Sequence, residues 1–187
     1  MKVSYRWLQE MAPDLQAPPE ELVERAAMLG FPVEELRSLS EGLQDIVVAN
    51  VLSVRPHPSA DRLRLCQVDG GAGEIQVVCG APNVDAGGWY PFAPVGASLP
   101  GGTRIGKAKL RGEVSEGMLC SERELGLGPG KDGLMVLPGP LRSGASLVES
   151  IGLDDFYLDV EVTSNRGDLL SHEGIARELG PGGHASL

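Results

Sequence analysis

The sequence predicts a mostly β chain with α+β flanks, in which a small closed barrel or sandwich is inserted into a discontinuous α+β domain. Several short strand-like segments, separated by turns rich in glycine and proline, lie between residues 46 and 139, and this spacing is typical of small closed β architectures. The flanks carry helix signals, but each is too small to bury a core alone. We therefore expect residues 1–39 and 151–187 to form one discontinuous domain around a β domain at residues 40–150.

The N-terminal flank predicts two helices. Residues 4–11 place Trp7, Leu8 and Met11 on one apolar face. A second helix begins at Pro19, which suits the first helical position, and ends before Gly30, which suits the position after the C-cap. Its apolar residues recur at the spacing of a helix that packs on a core.

The middle of the chain predicts strands. The run from Ile46 is rich in β-branched residues, and the turn-rich segment 57–63 links it to a hairpin whose loop is Asp69–Gly73. Three further strand candidates follow, at Tyr90–Gly96, Arg104–Arg111 and Gly133–Gly139. In the second of these, alternation predicts that Lys107, Lys109 and Arg111 face outward while Ala108 and Leu110 face inward.

The run Gly112–Leu127 follows this cationic strand and predicts a tight turn, a short apolar stretch and a brief helix beginning at Ser121. A cationic strand that leads into a glycine-bounded loop could bind an anionic partner. It could equally be the solvated outer face of a small barrel, because charge on an exposed strand face is ordinary.

The C-terminal flank predicts a strand, a turn and a helix. In FYLDVEVT, Leu158, Val160 and Val162 alternate with polar residues. Ser171 can cap a helix that ends at Gly180-Pro181.

Composition narrows the possible partners. The chain has 187 residues and a net charge of −10, so it is not a non-specific nucleic-acid binder as a whole. Residues 40–150 carry a net charge of only −2, against −3 for residues 1–39 and −5 for residues 151–187. Aromatic residues make up 4%, which argues against a broad base-stacking platform. Any nucleic-acid contact is therefore expected in the middle segment.

No catalytic or metal site is predicted. The three cysteines and His57 lack the paired spacing of zinc ligands, and the absence of a signal sequence predicts reduced, intracellular thiols. LGLGPGKDG is too short for a phosphate-binding loop, and no serine lies in a G-x-S-x-G motif. His172 and His184 have no obvious nucleophile nearby in the sequence. No apolar run approaches the length of a membrane span.

Five motifs in order carry a family resemblance: HPSADRLRLCQVDGG, VVCGAPNV, GASLPGGTRI, KAKLRGEVSEGMLCSERELGLG and LDDFYLDVEVTSNRGDLLSHEGIAREL. They closely resemble the N-terminal region of the bacterial phenylalanyl-tRNA synthetase β subunit, over about residues 1–180. The resemblance implies a five-stranded OB-fold barrel of the tRNA-binding type at residues 40–150, inserted into the discontinuous α+β domain. One departure is TSNRGD, where Ser164 and Gly167 replace the prolines of the family's TPNRPD and loosen the turn.

The resemblance also implies a role. It identifies this chain as part of a cytoplasmic ligase that aminoacylates tRNA(Phe), without a complete active site. The partners would be tRNA and, in the full-length protein, an α subunit in an α2β2 heterotetramer; neither DNA nor a membrane is expected. ATP and Mg²⁺ are implied for the whole enzyme, and no cofactor is expected in this chain.

On this basis we expect phosphate recognition by shape and charge over base stacking. The candidate RNA-binding residues are six cations and two polar loop residues: Arg62, Arg64, Arg104, Lys107, Lys109, Arg111, Asn83 and Ser121. Three alternatives remain open: an architectural barrel whose enzyme contacts RNA elsewhere, a free-standing non-enzymatic tRNA-binding module, and a protein-interaction adaptor.

Overall fold

The computed structural model describes residues 1–180. The strands, in chain order, are β1 Lys2–Ser4, β2 Val33–Ser38, β3 Val47–His57, β4 Ala60–Asp69, β5 Glu74–Cys79, β6 Trp89–Pro94, β7 Ala108–Leu110, β8 Glu113–Ser115, β9 Gly117–Leu119 and β10 Phe156–Val160. The α-helices are α1 Tyr5–Met11, α2 Pro19–Met28, α3 Leu147–Ser150 and α4 His172–Leu179, with a 3-10 helix at Gly167–Leu169. Two compact units result: Met1–Leu39 with the chain from Asp154 onward, here called the flanking unit, and Ser40–Leu153, called the barrel unit.

The flanking unit is built on a three-stranded antiparallel sheet in the order β1-β10-β2. Its core joins residues from α1, α2, β10 and α4, among them Leu8, Leu22, Leu158 and Ile175. The two helices of the N-terminal segment therefore share one core with the C-terminal strand and helix.

The predicted limits of α2 are confirmed. Pro19 is its first residue, and Gly30 follows the C-cap with a φ of +83°, the left-handed conformation that glycine adopts without a Cβ penalty. The apolar face predicted for α1 is wrong in part. Leu8 is buried, but Trp7 and Met11 are about half exposed, because only one side of this short helix meets the core.

The predicted C-terminal strand and helix are also present. Leu158 and Val160 are buried on β10, whereas Val162 lies beyond its end. The Ser171 side chain accepts a hydrogen bond from Gly174 N and caps α4. In the proline-free turn, the Arg166 guanidinium binds both Asp168 and Glu178, which ties the turn to α4. Pro181 and His184 lie outside the described residues.

The barrel unit contains a five-stranded antiparallel sheet in the order β5-β4-β3-β6-β9. The free edges of β5 and the β8–β9 segment meet: Glu116 N donates to Gln76 O at 2.9 Å, and Val78 N donates to Ser115 Oγ at 3.0 Å. The sheet is therefore nearly closed, which confirms the predicted OB-fold barrel.

The local features of the barrel agree with the sequence predictions only in part. The hairpin with its loop after Asp69 is confirmed. The turn-rich link predicted at 57–63 is wrong. β3 ends at His57 and β4 begins at Ala60, so only two residues form the tip of this hairpin. Residues 133–139 form no strand. Leu137 makes an isolated bridge to Trp89, and Met135 N donates to Cys120 O at 3.1 Å. The fifth strand is instead β9, only three residues long.

Gly117 allows β9 to lie close to β6. Its φ is +136°, and a Cβ at this position would lie 2.4 Å from both Cε2 and Cζ of Phe92 and 2.9 Å from the Ala93 carbonyl oxygen. Ordinary contacts between carbon atoms are about 3.5–4.0 Å. Only glycine therefore fits here without displacing the buried Phe92 ring.

Within residues 1–180, no helix combines the length and the apolar character that a membrane crossing needs.

Candidate nucleic-acid interface

The predicted cationic strand is a small hairpin outside the five-stranded sheet. Only Ala108–Leu110 is extended, and it pairs with Glu113–Ser115 in a separate two-stranded sheet. The prediction of an inward face is wrong, because Ala108 and Leu110 are both exposed. The predicted alternation fails because the segment has water on both sides and ends in a turn at Arg111.

This turn consists of Arg111 and Gly112, with φ values of +52° and +102°. Positive φ at both central residues is the signature of the type I′ turn, whose twist suits a two-residue hairpin. Arg111 is the only non-glycine residue with positive φ in the described part of the chain.

Polar contacts attach the hairpin to the barrel. The Ser115 hydroxyl accepts from Val78 N, and the Gln76 side chain donates to Val114 O at 3.0 Å and to a Glu113 carboxylate oxygen at 3.1 Å. The hairpin is thus fixed along the outer edge of β5.

The buried His57 makes a second attachment. Its Nδ1 accepts a hydrogen bond from Ser59 N at 3.0 Å, so the neutral ring carries its proton on Nε2 and donates it to Leu110 O, 3.1 Å away. The imidazole therefore joins the tip of the β3–β4 hairpin to the residue before Arg111. Sequence reasoning considered His57 only as a metal ligand; the residue pattern contains no signal for this contact.

The predicted cations fall into two groups. Lys107 forms an ion pair with Glu116 and is already partnered. The other five are exposed, and their side chains make no hydrogen bond or ion pair to any of residues 1–180: Arg62, Arg64, Arg104, Lys109 and Arg111. Arg62 and Arg111 border one open concavity, together with Ser59, Asp61 and Leu63.

In the flanking unit, by contrast, several cationic side chains have internal partners. Arg6 pairs with Asp154, Arg177 with Glu173, and Arg25 donates to Gly180 O. The hydrogen bond from Arg6 holds the pKa of Asp154 below its ordinary value, and Arg166 does the same to the pKa of Asp168. The unpaired positive charge of the predicted site is therefore a property of the barrel unit.

The two predicted polar contacts have internal partners. The Asn83 amide binds the Leu134 backbone twice, accepting from N at 2.8 Å and donating to O at 3.0 Å. The Ser121 N and Oγ both donate to one Glu124 carboxylate oxygen at 2.7 Å. Both residues hold the segment 121–134 in place. The helix predicted to begin at Ser121 is a series of hydrogen-bonded turns.

The cysteines lie in the barrel interior. Cys66, Cys79 and Cys120 are free and buried, and loss of hydration raises the pKa of Cys66 and of Cys120 to about 12. Thiols in such a setting are unreactive packing groups. No group of three or more His, Cys, Asp or Glu side chains in residues 1–180 is arranged to hold a metal ion.

Comparisons with known proteins identify the family to which the barrel belongs. Residues 46–146 match the family described as putative tRNA binding domain. The chain is 49% identical over 180 residues to the phenylalanine–tRNA ligase β subunit of Nitratidesulfovibrio vulgaris, covering 96% of this chain and 22% of that protein. The β subunit of Anaeromyxobacter dehalogenans gives the same identity and the same shares.

These relatives confirm the resemblance found in the motifs, and the chain spans about 22% of their length. The matched segment covers the whole five-stranded barrel and the attached hairpin, from just before β3 to just before α3. Through residues 46–146, the chain belongs to the putative tRNA binding domain family.

Proposed function

We propose that this chain binds tRNA through its barrel unit, as part of the β subunit of a phenylalanine–tRNA ligase. The observation that carries the proposal is the set of exposed, unpaired cations on a barrel of the tRNA-binding family: Arg62, Arg64, Arg104, Lys109 and Arg111. Because no carboxylate in the described chain pairs with them, they can neutralise RNA phosphates without first breaking an ion pair. Each neutralised phosphate releases counterions and makes binding salt-dependent.

The barrel unit favours recognition of backbone over recognition of bases. Its aromatic residues are Trp89, Tyr90 and Phe92; the last two are 2% exposed, and Trp89 is half-buried against the 137–139 segment. Tyr90 and Phe92 therefore offer no ring on which a base could stack, and the Trp89 ring is partly covered. Binding is therefore governed by the shape and phosphates of the RNA, which favours a folded tRNA over B-form DNA.

The larger assembly is part of the proposal. The relatives are ligase subunits, which supports this assignment over a free-standing tRNA-binding module or a protein-interaction adaptor. The full-length protein would pair with an α subunit in an α2β2 heterotetramer in the cytoplasm. ATP and Mg²⁺ would act elsewhere in that enzyme, and this chain would contribute tRNA affinity and architecture.

The test measures the affinity of tRNA at several salt concentrations for the native chain and for a double variant, Arg64→Ala with Lys109→Ala. If both residues contact phosphates, the slope of log K against log salt should fall by about 1.5, at about 0.7–0.9 per contact. The matched control is Arg6→Ala with Arg177→Ala, which changes net charge equally but removes cations that are already paired. Absence of salt-dependent tRNA binding by the native chain would refute the proposal.

A further inference from the structure

The turn at Arg111 carries a backbone strain that a glycine at the same position would avoid. A left-handed conformation brings the Cβ of an ordinary residue close to the following carbonyl oxygen, so this position favours glycine, asparagine or aspartate. Every other residue with positive φ in the described chain is a glycine. An arginine in this conformation therefore points to a role for its side chain.

The side chain stands beside a second free guanidinium. Arg111 and Arg62 border the same concavity, and neither has a partner among residues 1–180. Asp61 also lines it, so the three charged side chains together carry one net positive charge. One carboxylate for two guanidinium groups leaves positive charge available to an anionic ligand.

The backbone around the concavity is held by the buried His57. Its ring links Ser59 N to Leu110 O, and these atoms belong to the tips of the two hairpins that carry Arg62 and Arg111. The backbone segments that carry the two arginines are therefore linked by a side chain that is only 6% exposed.

We propose that Arg62 and Arg111 form one site for a single phosphodiester group of an RNA chain, and that His57 is its positioning residue. Guanidinium groups bind phosphate oxygens through two parallel hydrogen bonds, so two of them can occupy all the oxygens that a phosphodiester leaves exposed. The inference rests on the proposed tRNA binding, and it assigns the strained turn and the buried histidine to that function.

The experiment compares tRNA binding by the native chain, Arg62→Ala, Arg111→Asn and the double variant. Asparagine is chosen because it tolerates the left-handed turn, so the hairpin is kept while the guanidinium is lost. Each single variant should weaken binding roughly tenfold, since a hydrogen-bonded charge is removed. Because both arginines serve one phosphate, the double variant should lose about 0.7–0.9 of the salt slope in total, and neither single variant should lose more than that.

The outcomes separate this inference from the broader one. A native chain that binds tRNA with an unaffected slope in all three variants overturns the shared site and leaves tRNA binding intact. A double variant that loses about 1.4–1.8 of the slope, the value for two separate phosphates, does the same. No salt-dependent binding by the native chain overturns both. Lys107→Ala is the control in the same hairpin and should leave the slope unchanged, because its charge is paired with Glu116.

The positioning role has its own variant. In His57→Asn the amide can still accept from Ser59 N but is too short to reach Leu110 O. Both arginines remain, yet the salt slope should fall toward that of the double variant. An unchanged affinity and slope in a folded His57→Asn chain would overturn the positioning role.

Discussion

Replacing Gly117 by alanine should destabilise the barrel unit more than the same change at any open glycine. Gly117 lies on β9, opposite Pro94 of β6, at the strand pair next to the closure of the barrel. A methyl group there would meet the Phe92 ring at 2.4 Å, and Phe92 is only 2% exposed. The ring cannot turn away without opening the core.

The magnitude follows from two contributions. A φ of +136° is unfavourable for alanine by about 1–3 kcal/mol. Overpacking against a buried ring adds about 1–3 kcal/mol. The expected loss in the free energy of unfolding is therefore about 2–6 kcal/mol.

The matched control is Gly73→Ala. Gly73 has a φ of +109° and no atom within 4 Å of the position that a Cβ would take, so this variant reports backbone strain alone. Both variants restrict the unfolded chain equally, which removes that effect from their difference. Urea unfolding followed by Trp89 fluorescence in a Trp7→Phe background reports on the barrel unit. A difference below about 0.5 kcal/mol between the two variants would contradict the steric argument.

Three further predictions concern polar groups that are wholly or partly buried. Asp155→Ala should cost the flanking unit about 2–4 kcal/mol, measured by urea unfolding, because the buried carboxylate accepts from Ser4 Oγ and from two backbone N–H groups. With a pKa of about 12, Cys66 and Cys120 should react with iodoacetamide at pH 8 on the order of a thousandfold more slowly than in the urea-unfolded chain, by mass spectrometry. Burial lowers the pKa of His172, so the unfolded state binds its proton first and stability should fall as pH drops below about 6.5; His172→Gln should flatten this dependence in unfolding midpoints.

The elements predicted well from the sequence are those specified by neighbouring residues. The limits of α2 follow from Pro19 and Gly30, and the cap of α4 follows from Ser171, since each of these signals acts within one turn of the helix. The hairpin after Asp69 is likewise encoded in its own loop.

The errors concern elements whose state depends on distant contacts. Strand β9 has three residues and is held by pairing with β6 and by the fit of Gly117 to Phe92, which no local pattern records. Residues 133–139 have the apolar pattern of a strand, but their backbone makes isolated hydrogen bonds to Cys120 and Trp89 instead of a continuous ladder. Alternation alone could not show that the hairpin carrying Lys109 stands outside the sheet.

In the candidate site, too, some features follow from the sequence and others depend on distant contacts. Composition placed the available cations in the middle segment, and the structure leaves five of the six predicted ones unpaired. Lys107 is paired because Glu116, nine residues further along the chain, lies beside it in the fold. The internal bonds of Asn83 and the link through His57 join segments about fifty residues apart, so only the fold reveals them.

The insertion of the barrel between β2 and β10 has a consequence for the order of folding. Leu39 N donates to Asp155 O at 2.9 Å, so the flanking unit must bring together two points separated by the whole of residues 40–153. Within the barrel unit, Leu147 N donates to Ile46 O at 3.0 Å, so its own ends are already adjacent. Once the barrel has folded, the loop to be closed shrinks from on the order of a hundred residues to about a dozen. This shortening lowers the entropic cost of closing the loop by about 2 kcal/mol. A chain that folds its barrel first therefore reaches the native flanking sheet by the faster route.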